Sequence, residues 1–220
     1  MPGFWEINPL SQYNVLVAIL HTEATSFSWS MGIRQLIIPG PEPIGLVGMP
    51  YDMARNAACM RALEGGHSHL FFLDSDVVPP KDAILRLLAH NQPVISGMYC
   101  RRSPPHAIPV MIREGKWITD FKMGSVVEAD LVGAGCLLIR RDVLENLKPI
   151  RPGKHWFSWQ VDMRGIVAEG EHVSEDFAFN LQCKKQGIKT LVDTSIHCRH
   201  IGLAEATYNQ FLPVGATPNL

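Results

Sequence analysis

The chain has 220 residues, 46% hydrophobic and 19% charged, a composition that suits one globular domain with a sizeable core. Its 20 Lys and Arg offset 21 Asp and Glu, so no basic excess points to nucleic acid and no acidic tail stands out. The longest apolar runs, residues 15–20 and 44–50, are too short to cross a bilayer, and the first residues lack the basic-then-apolar pattern of a secretory signal. The 5 cysteines include no Cys-x-x-Cys pair, which favours reduced thiols and a cytoplasmic setting.

Along the chain, strands alternate with helices, which predicts an α/β domain: a mostly parallel central sheet, helices on both faces and a smaller antiparallel edge. Residues 13–20 read as a buried strand, with His21, Thr22 and Glu23 in the loop after it. Residues 51–64 place Met53, Ala57, Met60 and Leu63 at helical spacing, and Gly65-Gly66 stops the helix. A short strand over 70–73 follows. Pro80 then opens a helix with Ile84, Leu87 and Leu88 on one face, and 93–97 is the next strand. Residues 107–117, 126–132 and 136–139 read as strands without helices between them. A short helix over 142–147 and a loop-rich stretch over 151–173 come next. The helix over 174–186 is closed by Gly187, and the last strand spans 189–192. His197 and His200 lie after that strand. One domain is expected over 1–220, with halves at about 13–100 and 101–202 and a tail over 203–220.

The apolar run ending in Leu-Asp-Ser-Asp is the most informative stretch. In extended backbone, residues two apart share a face, so Asp74 and Asp76 converge while Ser75 turns away. They stand at the carboxyl end of a buried strand, where open α/β sheets form their ligand crevice. Converging carboxylates raise one another's pKa unless a cation intervenes. A divalent ion resolves the conflict, with waters or substrate phosphates in its remaining positions. Glu175 and Asp176 open a helix, where neighbours diverge by about 100°. One can serve as general base toward a hydroxyl while the other holds a substrate group or a loop. An imidazole from His200 or His197 beside two carboxylates suits Mn²⁺ better than Mg²⁺.

The order Ala54-Arg55-Asn56, Phe72-Leu73-Asp74-Ser75-Asp76, Gly133-Ala134-Gly135-Cys136, Ser174-Glu175-Asp176-Phe177 and His200-Ile201-Gly202 resembles the A-type-fold (GT-A) glycosyltransferases, most of all compact members of the family 2-like group. The resemblance spans roughly residues 14–202. It implies a metal-dependent enzyme that moves a sugar from a nucleoside-diphosphate sugar, of UDP or GDP type, to an acceptor with a free hydroxyl. By the same resemblance the first half of the chain binds the nucleotide and the second half the acceptor. Asp74 would approach the ribose, and Asp76 would ligate the metal that bridges the diphosphate. His200 would complete the metal site, with His197 as second choice. Arg55 would stand on the nucleotide side, and His21 and Glu23 would help hold base and ribose. Glu175 and Asp176 would face the acceptor, Asp176 as base if the enzyme inverts. The Gly133–Cys136 stretch would bring bare backbone near the sugar, or mark a strand bulge. Trp156 and Trp159 would stack on an acceptor sugar or simply pack. Arg101 and Arg102 would meet phosphates or face solvent.

Phe-Phe-Leu-Asp-Ser-Asp-Val-Val also fits the haloacid-dehalogenase pattern, with Asp74 as nucleophile and Asp76 as acid/base in Mg²⁺-dependent phosphoryl transfer. That nucleophile normally follows the first strand, whereas a strand and a helix precede it here. A sugar nucleotidyltransferase would need a glycine-rich phosphate loop where this chain reads Leu-His-Thr-Glu-Ala-Thr. A zinc site at His197, Cys198 and His200 lacks a partner cluster. A non-catalytic nucleotide- or carbohydrate-binding module is the remaining alternative, distinguished by the absence of metal-dependent turnover.

Overall fold

The computed structural model describes residues 13–21, 24–101, 108–148, 155–159 and 173–201. In chain order these form β1 (Val15–His21), α1 (Phe27–Ile33), β2 (Ile44–Val47), α2 (Tyr51–Glu64), β3 (His69–Asp74), β4 (Val77–Val78), α3 (Ala83–Ala89) and β5 (Val94–Met98). They continue with β6 (Met111–Arg113), β7 (Lys116–Trp117), β8 (Val126–Ala129), β9 (Leu131–Val132), β10 (Cys136–Arg140), α4 (Arg141–Asn146), α5 (Glu175–Lys185), β11 (Thr190–His197) and β12 (Arg199–His200).

The central sheet has the order β2-β1-β3-β10-β5-β11-β8. Strands β2, β1, β3, β5 and β11 run one way, and β10 and β8 run the other. Strands β1, β3, β10 and β5 are apolar at most positions because helices cover both faces of the sheet. In β3 the pleat sends Leu70 and Phe72 into a layer with α2, α4 and α5. Phe71 and Leu73 point the opposite way, toward α1 and α3. All of these side chains are fully buried, and each contributes about 1.5–3 kcal/mol in transfer free energy. Helix α5 is apolar on two sides. Phe179 and Cys183 face the central sheet, while Ala178 and Leu181 meet Leu131 of the small sheet β7-β6-β9.

The expected α/β architecture with a mostly parallel sheet is present, and several details differ. Residues 107–117 do not form one strand: β6 and β7 make a tight hairpin whose turn, Glu114-Gly115, has positive φ at both residues. The stretch over 126–132 divides at Asp130 between two sheets. The last strand runs on to His197, so His197 lies within β11. His200 belongs to β12, which pairs antiparallel with β4. The sequence pattern does not mark helix α1 or strand β2. Only Trp29 of α1 is buried, so no apolar stripe marks that helix. The Ser26 side chain caps it by accepting from Trp29 N at 3.1 Å.

All five cysteines are buried and free of disulfides, and no described helix is long and apolar enough to cross a membrane. The polar middle of β11 is tied to α3. His90 Nε2 lies 2.9 Å from Asp193 Oδ2, and Ser195 N donates to Asp193 Oδ1 at 2.8 Å. Burial works to raise the Asp193 pKa, but hydrogen bonds from Ser195 and His90 hold it below the ordinary carboxylate value. Its folded-state pKa is thus below its unfolded one, so the stabilisation is complete above the ordinary carboxylate range. It is lost as pH falls through the folded value. Asp193→Asn is expected to cost about 1.5–3 kcal/mol in urea denaturation at pH 7. The gap between variant and wild type should narrow below about pH 4.

Candidate functional site

Strand β3 ends at Asp74, and the chain turns at Ser75 and Asp76 before β4. The backbone here is a turn, so the extended alternation expected for Asp74 and Asp76 does not hold, and Ser75 lines the same cleft as its neighbours. Trp29 fixes the turn. Its Nε1 donates to the carbonyl oxygens of Asp74 and Val77 at 3.1 and 3.0 Å. The cleft, of about 370 Å³, brings together Arg55, Asp74, Asp76, Glu175, Asp176 and His200, with Tyr51, Tyr99 and Arg101 on its walls.

Arg55 projects from α2 and is only 2% exposed. Its Nε donates to Glu175 Oε1 at 3.1 Å, and one terminal nitrogen donates to Asp74 Oδ1 and Oδ2 at 3.1 and 3.5 Å. The guanidinium lies 5.1 Å over the Phe72 ring. One planar fork thereby satisfies carboxylates from two elements, which an ammonium does poorly. Burial alone would lower the Arg55 pKa; the adjacent Asp74, Glu175 and Asp176 outweigh it and keep the group charged. Burial raises the Asp74 pKa against the pull of Arg55, and Asp76 and Asp176 push it the same way. Burial likewise raises Glu175, helped by Asp176. Arg55 therefore reaches the cleft with its charge already engaged by protein carboxylates.

The acidic pair at the start of α5 divides as helical geometry requires. Glu175 turns inward to Arg55, and Asp176 lines the cleft. Asp176 Oδ2 accepts from Ala134 N at 3.3 Å, while Oδ1 accepts from Phe177 N at 2.8 Å and from the Ser174 hydroxyl.

His200 Nδ1 lies 2.7 Å from the Cys100 carbonyl oxygen. A carbonyl only accepts, so Nδ1 carries a proton, and Nε2 points into the cleft. There it faces Asp76 Oδ1 at 3.4 Å. His197 is not brought to this site. It is exposed at the end of β11 and lines a separate cleft with Phe27, Lys81 and Arg199. Among the described residues no three His, Cys, Asp or Glu side chains are grouped to hold a metal ion, so His197, Cys198 and His200 do not assemble a zinc site.

Tyr99, which directly follows β5, carries no sequence signal beyond its place at a strand end. Its hydroxyl accepts from Gly135 N at 3.0 Å, and its ring meets that of His200 edge-on at 5.4 Å. A Cβ on Gly133 would lie 1.9 Å from the Tyr99 hydroxyl, and one on Gly135 would lie 3.2 Å from Asp74 Oδ2. The bare backbone at these glycines thus makes room for Tyr99 and Asp74. Trp156 is buried and donates from Nε1 to Leu144 O, so it packs, whereas Trp159 is exposed. The backbone of His21 ends β1 beside Val47; its side chain, Glu23 and Arg102 lie outside the described residues.

No family model matches the chain, and no curated protein sequence matches it either. Among solved structures, A197 from STIV is similar, with a TM-score of 0.59 at 19% identity over 86% of each chain. Apo UDP-glucose pyrophosphorylase is similar with a TM-score of 0.42 at 11% identity, over 87% of this chain and 77% of that one. The likeness to A197 shows a shared α/β fold. The likeness to the pyrophosphorylase is too loose to carry an argument.

Removing the buried guanidinium leaves two carboxylates without their counter-charge. Arg55→Met is expected to cost about 3–5 kcal/mol in chemical denaturation, with Arg55→Lys recovering part of it. A loss below about 1 kcal/mol for Arg55→Met would show that Asp74 and Glu175 do not depend on this cation.

Proposed function

We propose that the protein is a metal-dependent glycosyltransferase of the A-type fold, transferring a sugar from a UDP- or GDP-type nucleotide sugar to an acceptor hydroxyl. The observation that carries this reading is the Asp76–His200 pair. Two ligands each about 2.1 Å from a common ion, at an angle between octahedral and tetrahedral, stand about 3.0–3.4 Å apart. The Oδ1–Nε2 separation is 3.4 Å, and the anchored Nδ1–H directs Nε2 toward that position. The residues present fit a divalent cation held by one carboxylate and one imidazole, with phosphate oxygens supplying further ligands. This mixed oxygen and nitrogen set favours Mn²⁺ over Mg²⁺. Such an ion would stabilise charge on the departing diphosphate.

The chain's own residues take distinct parts. Asp74, fixed by the Arg55 fork, presents its remaining lone pairs to ribose hydroxyls. Glu175 and Arg55 are positioning residues: their ion pair sets the start of α5 against α2 and aims Asp176 into the cleft. Asp176 takes the acceptor's proton at Oδ2, whose one hydrogen bond from a described residue, Ala134 N, is long at 3.3 Å. Arg55 contacts both oxygens of Asp74, which weighs against Asp74 as the nucleophile of a dehalogenase-type phosphatase. Five buried, unpaired thiols support a reducing, cytoplasmic setting.

Turnover of UDP- and GDP-sugars should require Mn²⁺ and stop in EDTA. Asp76→Asn and His200→Ala should each lower kcat about a hundredfold, while His197→Ala stays within about twofold, a minor change on the same scale. Undiminished turnover in EDTA or in Asp76→Asn would contradict the proposal.

A further inference from the structure

A second cleft, of about 670 Å³, opens on the far side of the β4–β12 ribbon from the first. Neighbours on β12 serve different clefts: Arg199 lines this one and His200 lines the first. Val78, paired with Arg199 across the ribbon, lines the second cleft as well. Its walls are of two kinds. Helix α1 supplies Phe27 and Met31, which are 81% and 43% exposed, and Val78, Pro79 and Pro80 continue that apolar surface. Lys81 and Arg199 supply cations and His197 an imidazole, and no Asp or Glu is among the described residues that line the cleft. The first cleft, by contrast, is lined by four carboxylates. A concave site of this size, mostly apolar with a few convergent polar groups, suits a small ligand. An exposed phenylalanine beside basic groups favours a ligand that is apolar at one end and anionic at the other.

We infer that this second cleft binds a small amphiphilic anion, a carboxylate or phosphate monoester carrying an apolar acyl or aryl body, and that the bound ligand acts on the first cleft through the ribbon. The physical link is short. Such a ligand touches α1, Val78 and Arg199, and each of these adjoins a group that shapes the first cleft. Trp29 of α1 donates to Asp74 O and Val77 O. Gly32 lets α1 pack directly on Val78, since a side chain there would overlap Val78 Cγ1. Arg199 precedes His200, and Ile201 N donates to Asp76 O at 2.7 Å. A ligand that favours one setting of α1 against the ribbon therefore shifts the placement of Asp76 and His200. This holds whatever substrate the first cleft takes.

The test is calorimetric binding to the full chain of four matched probes: octanoate, octyl phosphate, octanol and inorganic phosphate. The tighter of the two amphiphilic anions should bind at least about tenfold more tightly than octanol or phosphate, each of which lacks one half of the match. Phe27→Ser should weaken that anion about five- to twentyfold by removing the apolar wall. Lys81→Gln should weaken it about two- to fivefold. Both residues are exposed, so neither variant should unfold the chain. The same anion should shift the ring resonances of His200, assigned by their loss in His200→Gln, and the shift should vanish in Phe27→Ser. Failure of both anions to bind, octanol binding as tightly as they do, or binding indifferent to Phe27→Ser and Lys81→Gln would overturn the site. An unshifted His200 ring at saturation, or a shift that persists in Phe27→Ser, would overturn the link to the first cleft. None of these outcomes involves a nucleotide, so the glycosyltransferase reading stands or falls separately.

Discussion

The buried guanidinium of Arg55 joins the parts of the molecule that make the cleft. It comes from α2, grips Asp74 at the end of β3 and Glu175 at the start of α5, and lies against Phe72 of the central sheet. Each of those carboxylates is pushed toward protonation by burial; without the cation the cleft would carry uncompensated buried charge. With it, Asp74 and Glu175 are held in place, while Asp76 and Asp176 line the same cleft without contacting the guanidinium. The arrangement is therefore a division of labour among four carboxylates, set by which of them a single arginine can reach.

Around that hub, small devices fix the groups that line the cleft. Trp29 closes the turn after Asp74 through two hydrogen bonds from one indole nitrogen. The β4–β12 pairing places Val77 opposite His200, and Ile201 N donates to Asp76 O at 2.7 Å. Asp76 and His200 are thus held by adjoining backbone, which limits how far their side chains can drift apart. Tyr99 completes the wall by bonding the glycine backbone on one side and packing on the His200 ring on the other. The site rests mostly on strand ends, where position is set by the sheet.

Much of this was legible in the sequence. Helix α2 has the bounds its spacing predicts, and the apolar run before Asp74 marks the central strand and the end of it that borders the cleft. Less visible were elements whose stabilising contacts are polar or distant. Asp193, Thr194 and Ser195 look like loop, yet they continue β11 because Thr194 bonds Ser125 O and Asp193 is satisfied by Ser195 and His90. That continuation is what carries His197 away from Asp76. No sequence spacing shows that Arg55 pairs with Glu175, 120 residues later. Trp29 sits in a helix with a single buried residue, so hydropathy gave no sign of its role in the turn.

The most direct test of the account is pulsed electron paramagnetic resonance of Mn²⁺ bound to the protein with UDP or GDP. The account predicts nitrogen coupling from one imidazole, lost in His200→Ala and retained in His197→Ala. A bound Mn²⁺ without nitrogen coupling, or coupling that depends on His197, would contradict the assignment of Asp76 and His200 as the pair that holds the cation.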